Sequence, residues 1–352
     1  MTLNHLFINT WRSGEQQFIL KTSGSTGTPK PICLTRSQME ASARLTGQTF
    51  GLASGDRALV CLNTDYIAGV MMLVRGEVLG FDLTLVAPSA NPLGTFDPAT
   101  THFDFAAFVP LQLQTMLADV GTSGQPKVLP ILNGMKAILV GGAATSPALE
   151  QALQVIDAPV YSTYGMTETV SHIAIRRLNG PDRSELFTVL PGVLVGTDER
   201  GCLHITAAAT NHERIQTNDV VELLPADSHS QANPRGVRFR LLGRADSIIN
   251  TGGVKVQPEA VEAIISRQLA DWHLAPRLFV AGLPDERLGQ RVVVFSEGVS
   301  LTDDQWQAVQ QAIRQGIGPY AVPKAWQVVG TFAETATGKI DRKATISRVN
   351  QQ

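Results

Sequence analysis

The sequence is poor in cysteine, with three among 352 residues, and this scarcity limits the chemistry open to it. The three cysteines, Cys33, Cys61 and Cys202, are scattered along the chain and odd in number. His204 lies close to Cys202, but no second pair of cysteine or histidine residues accompanies them at the spacing of a zinc site. We therefore expect neither a disulfide framework nor a structural zinc ion.

Long apolar runs and an excess of one charge are also lacking. No apolar run reaches the roughly 20 residues that span a bilayer, and no cationic and then apolar leader opens the chain. These two absences predict a cytoplasmic protein without a membrane span. The 29 lysines and arginines and the 31 aspartates and glutamates leave a net charge of −2. A nucleic-acid binder usually carries a strong basic excess, so this class of protein is not expected.

The rest of the composition is ordinary for a soluble globular protein. Apolar residues make up 43% of the chain and charged residues 17%. A chain of 352 residues exceeds the usual size of a single hydrophobic core, so two domains are expected.

A segment rich in glycine and hydroxyl residues, residues 22–30, follows a short apolar run that is typical of a strand. Glycine lets backbone N–H groups approach an anion, hydroxyl groups donate further hydrogen bonds, and a lysine adds positive charge. The segment is not a Walker A loop, because no Gly-Lys-Ser/Thr closes it. A solvated linker of similar composition is the alternative interpretation. The residues expected to cradle a phosphate are Thr22, Ser23, Gly24, Ser25, Thr26, Gly27 and Lys30.

Helices and strands alternate in the pattern that follows this segment. Helices are predicted over residues 35–50 and 66–79, and strands over residues 57–62, 83–86, 103–109 and 137–140. The first helix fits a capping box made either by Ser37 with Glu40 or by Thr35 with Gln38. Such alternation predicts a largely parallel sheet that is covered on both faces.

The pattern changes twice in the second half of the chain. Residues 189–240 contain short β-like runs separated by glycine-containing turns, which indicates a small β subdomain. After residue 243, helical and strand patterns alternate over about a hundred residues, which predicts a compact α+β domain.

Functional groups collect after a predicted strand at residues 160–164. An aromatic ring, a tight turn, a hydroxyl and a carboxylate are supplied by Tyr164, Gly165, Thr167 and Glu168. Open α/β sheets bind ligands at the carboxyl ends of their strands, so this segment is a candidate ligand site. An ordinary turn is the alternative interpretation.

Two residues with polar side chains stand in apolar surroundings. Arg75 lies within a predicted helix among methionine, leucine and valine, where a guanidinium must reach water or meet an anion. Arginine can hold a carboxylate through two hydrogen bonds, so Arg75 is either a clamp for a substrate carboxylate or a surface arginine. His172 either faces the substrate or is half-buried in the core, and Arg176 and Arg177 are expected to be solvated.

Four motifs occur in one order along the chain, at residues 22–30, 164–169, 243–246 and 337–342. In this order they resemble the adenylate-forming superfamily of acyl-CoA synthetases, luciferases and the adenylation domains of peptide synthetases. The resemblance runs from about Phe18 to Arg342. It implies an α/β adenylate-forming fold, with a large AMP-binding domain and β subdomain over residues 1–243. A small mobile α+β domain is implied over residues 244–352.

The resemblance assigns the nucleotide to these motifs. By this likeness Tyr164 stacks on adenine, and Asp219, in a Thr-Asn-Asp sequence where the family usually has Thr-Gly-Asp, accepts hydrogen bonds from the ribose. Arg244 contacts ribose or phosphate, and the segment after residue 140 borders the adenine. The implied nucleotide-binding residues beyond the phosphate loop are Gly141, Gly142, Ala143, Tyr164, Gly165, Asp219 and Arg244.

The same resemblance implies the catalytic residues. Thr167 contacts the α-phosphate and Glu168 helps to hold Mg²⁺, which suits a cation that prefers few carboxylates together with phosphate oxygens. Lys339 enters the site during adenylation and bridges the substrate carboxylate and the α-phosphate. Asp246 lies at the hinge about which the small domain turns, so that coenzyme A can then attack the acyl-adenylate.

The segment from Tyr164 to Gly180 is most similar to short bacterial o-succinylbenzoate–CoA ligases of menaquinone synthesis. Their substrate carries two carboxylates, and Arg75 would hold the second one, with His172 as a further substrate contact. The resemblance thus implies ATP, Mg²⁺, coenzyme A and o-succinylbenzoate as ligands. A ligase for another aryl acid or a fatty acid is the alternative.

One departure from the superfamily concerns length. Most members carry well over a hundred residues before the phosphate loop, and here there are about twenty, so much of the usual first subdomain is expected to be missing. This departure leaves open a homodimer or an altered acyl pocket. It also leaves open a truncated, non-catalytic nucleotide-binding module.

Overall fold

The computed structural model describes residues 3–21, 31–224, 236–335 and 339–349. The predicted phosphate loop, residues 22–30, lies outside these ranges. The helices are α1 (Leu3–Arg12), α2 (Arg36–Phe50), α3 (Ile67–Leu79), α4 (Pro110–Ala118), α5 (Leu129–Asn133), α6 (Pro147–Ala152), α7 (Pro258–Asp271), α8 (Asp303–Gly316) and α9 (Arg342–Val349).

The strands divide among three sheets. They are β1 (Gln17–Lys21), β2 (Pro31–Thr35), β3 (Arg57–Val60), β4 (Asp82–Leu85), β5 (Phe105–Phe108), β6 (Ala137–Val140), β7 (Val160–Gly165), β8 (His172–Arg177), β9 (Phe187–Val189), β10 (Leu194–Thr197), β11 (Cys202–Thr206), β12 (Ile215–Leu224), β13 (Arg238–Arg244), β14 (Ile249–Thr251), β15 (Val254–Val256), β16 (Leu278–Asp285), β17 (Gly289–Glu297) and β18 (Ala325–Val329).

The central sheet has eleven strands in the described part of the chain, in the order β10-β11-β12-β13-β9-β8-β7-β6-β5-β3-β4. Its half from β4 to β7 is parallel, as the alternating pattern predicted. The other half, from β7 through β8 to β10, is antiparallel. The predicted β subdomain is therefore hydrogen-bonded into the same sheet, and the predicted α/β fold is confirmed.

Helices α2 and α3 pack on each other and frame one side of the candidate site. Helix α2 begins with a capping box of Thr35 and Gln38, the second of the two predicted boxes, and Gly51 closes it in the left-handed conformation (φ +62°). Helix α3 is buried over residues 69–76, which explains its apolar composition.

The segment before the phosphate loop is more ordered than the sequence suggested. Helix α1 was not predicted, and its Phe7 and Trp11 pack with Phe18 of β1. Strands β1 and β2 form an antiparallel ladder, in which Lys21 pairs with Pro31. Arg36 closes this arrangement with its guanidinium over the Trp11 ring at 4.0 Å.

The small domain follows β13 and has its own core. Its sheet has the order β15-β14-β17-β16, with β18 parallel to β17. Helices α7 and α8 cover one face with Val261, Ile265, Val309 and Ile313. In the described part of the chain, none of the helices combines the length and apolar character needed to cross a membrane.

Candidate functional site

The centre of the site is a buried contact between β7 and β12. The Tyr164 hydroxyl donates a hydrogen bond to Asp219 Oδ2 at 2.6 Å. The Tyr164 ring packs with Phe187 and Phe239, at centroid distances of 5.8 and 5.1 Å. Burial raises the pKa of Tyr164, and the Asp219 charge raises it further, so the phenol stays protonated and remains a donor.

Asp219 connects this contact to the end of β13. Its backbone N–H donates to Thr217 Oγ1 at 3.0 Å, and its Oδ1 accepts from Arg244 Nη1 at 3.1 Å. Arg244 also donates through Nε and Nη2 to Asp246, at 2.9 and 2.7 Å. A single guanidinium is thus shared between the predicted ribose ligand and the predicted hinge residue.

The loop after β7 has a constrained backbone. A Cβ atom on Gly165 would lie 2.2 Å from the Ser171 carbonyl oxygen, so only glycine fits at this position. Val170 has φ +65°, which is strained for a β-branched residue. Within this loop Thr167 is buried and Glu168 is exposed. The loop therefore presents the Glu168 carboxylate to the outside while its backbone is fixed.

Residues 141–143 lie beside this loop, because β6 and β7 pair in parallel with Val140 opposite Ser162. A Cβ atom on Gly141 would lie 2.6 Å from Thr163 Oγ1, and Gly142 has φ +85°. The left-handed backbone favours glycine at position 142, and the Thr163 side chain leaves no room for a Cβ atom at position 141. The structure brings Gly141, Gly142 and Ala143 to the same edge of the sheet as Tyr164 and Gly165, at the carboxyl ends of the strands.

Lys339 belongs to the small domain and is partly buried. Burial lowers its pKa, and the positive charge of Arg244 lowers it further. Hydrogen bonds join Tyr164 and Asp219 with Arg244, which come from distant parts of the sequence, and the role of Lys339 stays a prediction.

The residues at this edge suit magnesium better than a protein-enclosed metal site. Among the described residues, no group of three or more histidine, cysteine, aspartate or glutamate side chains could hold a metal. Glu168 offers a single exposed carboxylate. Mg²⁺ commonly takes one or two carboxylates and completes its octahedron with phosphate oxygens and water, so this donor set fits that ion bound together with ATP.

Arg75 is buried inside α3, with 2% of its surface exposed, so the alternative of a surface arginine is wrong. Its Nε donates to Thr46 Oγ1 at 3.2 Å, and its Nη2 donates to Ser171 Oγ at 2.7 Å. Its Nη1 faces the sulfur of Met72 at 3.5 Å. No carboxylate in the described part of the chain pairs with it, and burial lowers the pKa of Arg75 to about 10.

His172 completes this cluster. Ser171 Oγ accepts from Arg75, which can only donate, so its own proton is available to His172 Nδ1 at 3.2 Å. The ring proton then sits on Nε2, and this buried N–H has no hydrogen-bond partner among the described residues. Burial lowers the pKa of His172 to about 3, with the Arg75 charge contributing, so the ring stays neutral.

Some residues of the site escaped the sequence analysis. Thr46 and Ser171 were not predicted as site residues, although they connect Arg75 to α2 and to His172. The prediction of a solvated Arg176 is wrong, because it pairs with the buried carboxylate of Glu150 at 2.6 Å. A hydroxyl has no distinctive pattern in sequence, and these contacts join residues 26 to 96 positions apart.

Comparisons with known proteins agree with this geometry. The model of the AMP-binding enzyme family matches residues 12–195, and that of the AMP-binding enzyme C-terminal domain matches residues 258–339. The probable 2-succinylbenzoate–CoA ligase of Mycobacterium tuberculosis (strain H37Rv) is 28% identical over 99% of this chain and 89% of its own length. The 2-succinylbenzoate–CoA ligase of Escherichia coli (strain K12) is 24% identical over 97% of this chain and 71% of its own length.

Two solved structures have a similar fold. An acyl-CoA synthetase (AMP-forming)/AMP-acid ligase II-like protein from Dyadobacter fermentans is 42% identical, covers 98% of this chain and 93% of its own, and has a TM-score of 0.61. The o-succinylbenzoate coenzyme A synthetase of Bacillus subtilis, in complex with ATP and magnesium, has a TM-score of 0.70. It is 18% identical and covers 93% of this chain and 69% of its own, so it supports the fold alone.

Proposed function

The chain belongs to the AMP-binding enzyme family and is an AMP-forming acid–CoA ligase, and we propose that the acid it activates is 2-succinylbenzoate. The relatives that carry this name match nearly the whole chain at modest identity. The observation that carries the proposal is the buried guanidinium of Arg75, which has no carboxylate partner among the described residues. A buried cation of this kind costs several kcal/mol unless a counter-charge neutralises it. The second carboxylate of the acid supplies that charge.

The first half-reaction is the attack of a substrate carboxylate oxygen on the α-phosphorus of ATP. The new bond joins that oxygen to phosphorus, and the bond to the bridging oxygen of pyrophosphate breaks. No proton moves, since the carboxylate is already ionised at neutral pH. The barrier comes from bringing two anions together in line, so the protein has to supply positive charge and alignment.

Lys339 supplies that charge in the proposed mechanism, and Thr167 holds an α-phosphate oxygen. Glu168 would help to hold Mg²⁺ bound together with ATP, and the ion would supply further charge neutralisation there. The phosphate-loop residues 22–30 are proposed to cradle the remaining phosphates. The resemblance of residues 337–342 to the family's motif supports the assignment of Lys339, and the positive charge of Arg244 lowers the pKa of its side chain.

Tyr164, Asp219 and Arg244 are proposed to hold the nucleoside. Asp219 has both oxygens engaged, by Tyr164 and by Arg244, which fixes the carboxylate in one orientation. A fixed carboxylate can accept from two adjacent ribose hydroxyls without reorganisation. Gly141 and Gly142 leave bare backbone at the same edge, where a flat purine ring can lie.

In the second half-reaction, the coenzyme A thiolate attacks the acyl carbonyl and AMP leaves with the carboxylate oxygen. We propose that the small domain, residues 244–352, turns relative to residues 1–243 about a hinge at Asp246. Its carboxylate is tied to Arg244 in this structure, and rotation about it would withdraw Lys339. A homodimer stays a prediction. Light scattering of the purified protein, which measures its molar mass in solution, tests it.

Arg75 and His172 are proposed to recognise the acid. The guanidinium takes the second carboxylate, and the unpartnered Nε2–H of His172 donates to an oxygen of the same substrate. A buried donor left unpaired costs about 1–3 kcal/mol. A ligand with a carboxylate and a further oxygen would neutralise the Arg75 charge and accept the hydrogen bond of His172. An alkyl chain would do neither, which disfavours a fatty acid.

An ATP–pyrophosphate exchange assay over a panel of acids tests the function. The panel contains 2-succinylbenzoate, benzoate, 4-phenylbutanoate and octanoate, and thioester formation is followed by mass spectrometry after coenzyme A is added. We expect exchange and thioester with 2-succinylbenzoate, at a kcat/KM at least about 100-fold above the monocarboxylates. Exchange mainly with a monocarboxylate would identify a different ligase. ATP binding without acid-dependent exchange would identify a non-catalytic nucleotide-binding module.

A further inference from the structure

Lys339 lies in a short antiparallel turn, here called the lysine hairpin, which comprises residues 333–335 and 339–341. Glu334 and Ile340 form its β-bridge. The Thr335 N–H donates to the Lys339 carbonyl at 2.8 Å, and the Lys339 N–H donates to Thr335 Oγ1 at 3.2 Å. These hydrogen bonds fix the two arms against each other, but they do not hold the hairpin to the rest of the domain.

The first arm is held by an arginine outside the hairpin. Arg277 Nη1 donates to Glu334 Oε1 at 2.6 Å and lies 3.4 Å from Glu297 Oε2, at the end of β17. The other oxygen of Glu297 accepts from the Phe332 N–H at 2.7 Å. Arg277 thus joins the hairpin to the central strand of the small domain.

The second arm has a separate attachment. Arg342, three residues after Lys339, pairs with Glu262 of α7 at 3.1 Å. Glu262 also accepts the Val280 N–H at 2.8 Å, and burial raises its pKa. The hairpin is therefore held from both sides by ion pairs that reach different elements of the domain.

We propose that Arg277 and Glu334 are positioning residues that aim Lys339 at the nucleotide during adenylation. The proposal rests on the proposed function, since it assigns Lys339 to the first half-reaction. Arg277 and Glu334 are both more than 40% exposed, and exposed ion pairs contribute little to the stability of a fold. We therefore expect the loss of this ion pair to displace the Lys339 side chain rather than to unfold the domain. A misplacement of about 1 Å in a reacting group can cost about 100-fold in rate.

The test measures the two half-reactions separately in Arg277→Met. Methionine keeps an apolar chain beside Phe332, whose ring lies 6.0 Å from the guanidinium, but it cannot pair with Glu334. With the second arm still attached, we expect kcat of pyrophosphate release to fall about tenfold. The KM for ATP and the thioester formation from supplied acyl-adenylate should stay within about twofold of wild type.

Two further variants separate aiming from folding. Arg277→Lys keeps one cation within reach of Glu334 and should recover adenylation to within about threefold of wild type. Arg240→Met removes an ion pair of similar exposure, to Glu222 at 2.7 Å on the central sheet, and should leave both half-reactions unchanged. Equal loss of both half-reactions in Arg277→Met, a lowered urea midpoint that accounts for the loss, or no loss at all would overturn the proposal.

A second readout keeps this result separate from the proposed function. Hydrogen exchange of the Thr335 and Lys339 amides should become faster in Arg277→Met and stay unchanged in Arg240→Met. If the wild type shows no acid-dependent pyrophosphate exchange, the proposed function fails, and the amide exchange still decides whether Arg277 holds the hairpin. Unchanged exchange in Arg277→Met would overturn the positioning role by itself.

Discussion

Replacing Arg75 by methionine should remove substrate discrimination without unfolding the protein. Arg75 is buried and unpaired with any carboxylate among the described residues, and its two side-chain hydroxyl partners are Thr46 and Ser171. Deleting one partner of a buried, charged contact costs about 2–5 kcal/mol in binding. This corresponds to a loss of about 30- to 5,000-fold in kcat/KM for 2-succinylbenzoate.

Most substitutions of buried residues lower the free energy of unfolding, but Arg75→Met should leave it unchanged or raise it. Two hydroxyls lose a partner in Arg75→Met, at about 1 kcal/mol each. The removal of an uncompensated buried charge returns several kcal/mol, so the free energy of unfolding should be unchanged or rise. The pKa of His172 should also rise from about 3, since Arg75 contributes to lowering it, while burial still keeps it below its ordinary value. Histidine NMR titration measures this change.

Arg176→Met is the matched control. Arg176 is also mostly buried, but it pairs with Glu150 at 2.6 Å, which would be left with Arg183 alone. This variant should lose about 1–3 kcal/mol of unfolding free energy and keep the ratio of kcat/KM between 2-succinylbenzoate and benzoate. Urea unfolding gives the unfolding free energy of each variant. Pyrophosphate exchange gives the kcat/KM ratio between 2-succinylbenzoate and benzoate for each. An unchanged ratio in Arg75→Met, or a fall of more than about 2 kcal/mol in its unfolding free energy, would refute the assignment.

Three further predictions concern the nucleotide side and the base of the sheet. Lys339→Ala should lower pyrophosphate release at least about 100-fold while thioester formation from supplied acyl-adenylate stays within about threefold, and equal loss would count against its role. Tyr164→Phe removes the 2.6 Å bond to Asp219 and should raise the KM for ATP about five- to tenfold with kcat nearly constant, as steady-state kinetics would show. For Asp104, burial raises the pKa but is outweighed by hydrogen bonds and the Lys136 charge, which hold it below its ordinary value. Its stabilisation is therefore present above about pH 4 and lost at lower pH, so Asp104→Asn should flatten the acid side of a thermal-unfolding profile, and an unchanged slope would contradict this.

The sequence predicted those elements whose signal is local. Strand β6 falls at residues 137–140 as predicted, because four consecutive apolar residues are buried on both faces. The capping box of α2 was one of two predicted, and the structure selects Thr35 with Gln38. Helix α1 was missed, although its apolar residues recur at helical spacing, since the segment is short and mixed in composition.

Contacts between distant segments could not be predicted in this way. Arg75 was singled out as a charge among apolar residues, but its partner Ser171 is 96 residues away. Which nitrogen of the His172 ring carries the proton depends on the contact between Arg75 and Ser171, so the residues next to His172 in sequence do not predict it. The joining of the β subdomain to the parallel strands likewise depends on pairing between β7, β8 and β9.

The unbroken ladder from β4 to β10 determines where the chain can be divided when hybrids are built from related proteins. A crossover near residue 189 would sever the pairing of β8 with β9 and separate Tyr164 from Asp219. A crossover between Arg244 and β14 passes from one sheet to another and leaves every strand of both with its own neighbours. The small domain is therefore the part that can be exchanged between related proteins, and the part of the chain that carries Arg75, Tyr164 and Asp219 has to come from one parent.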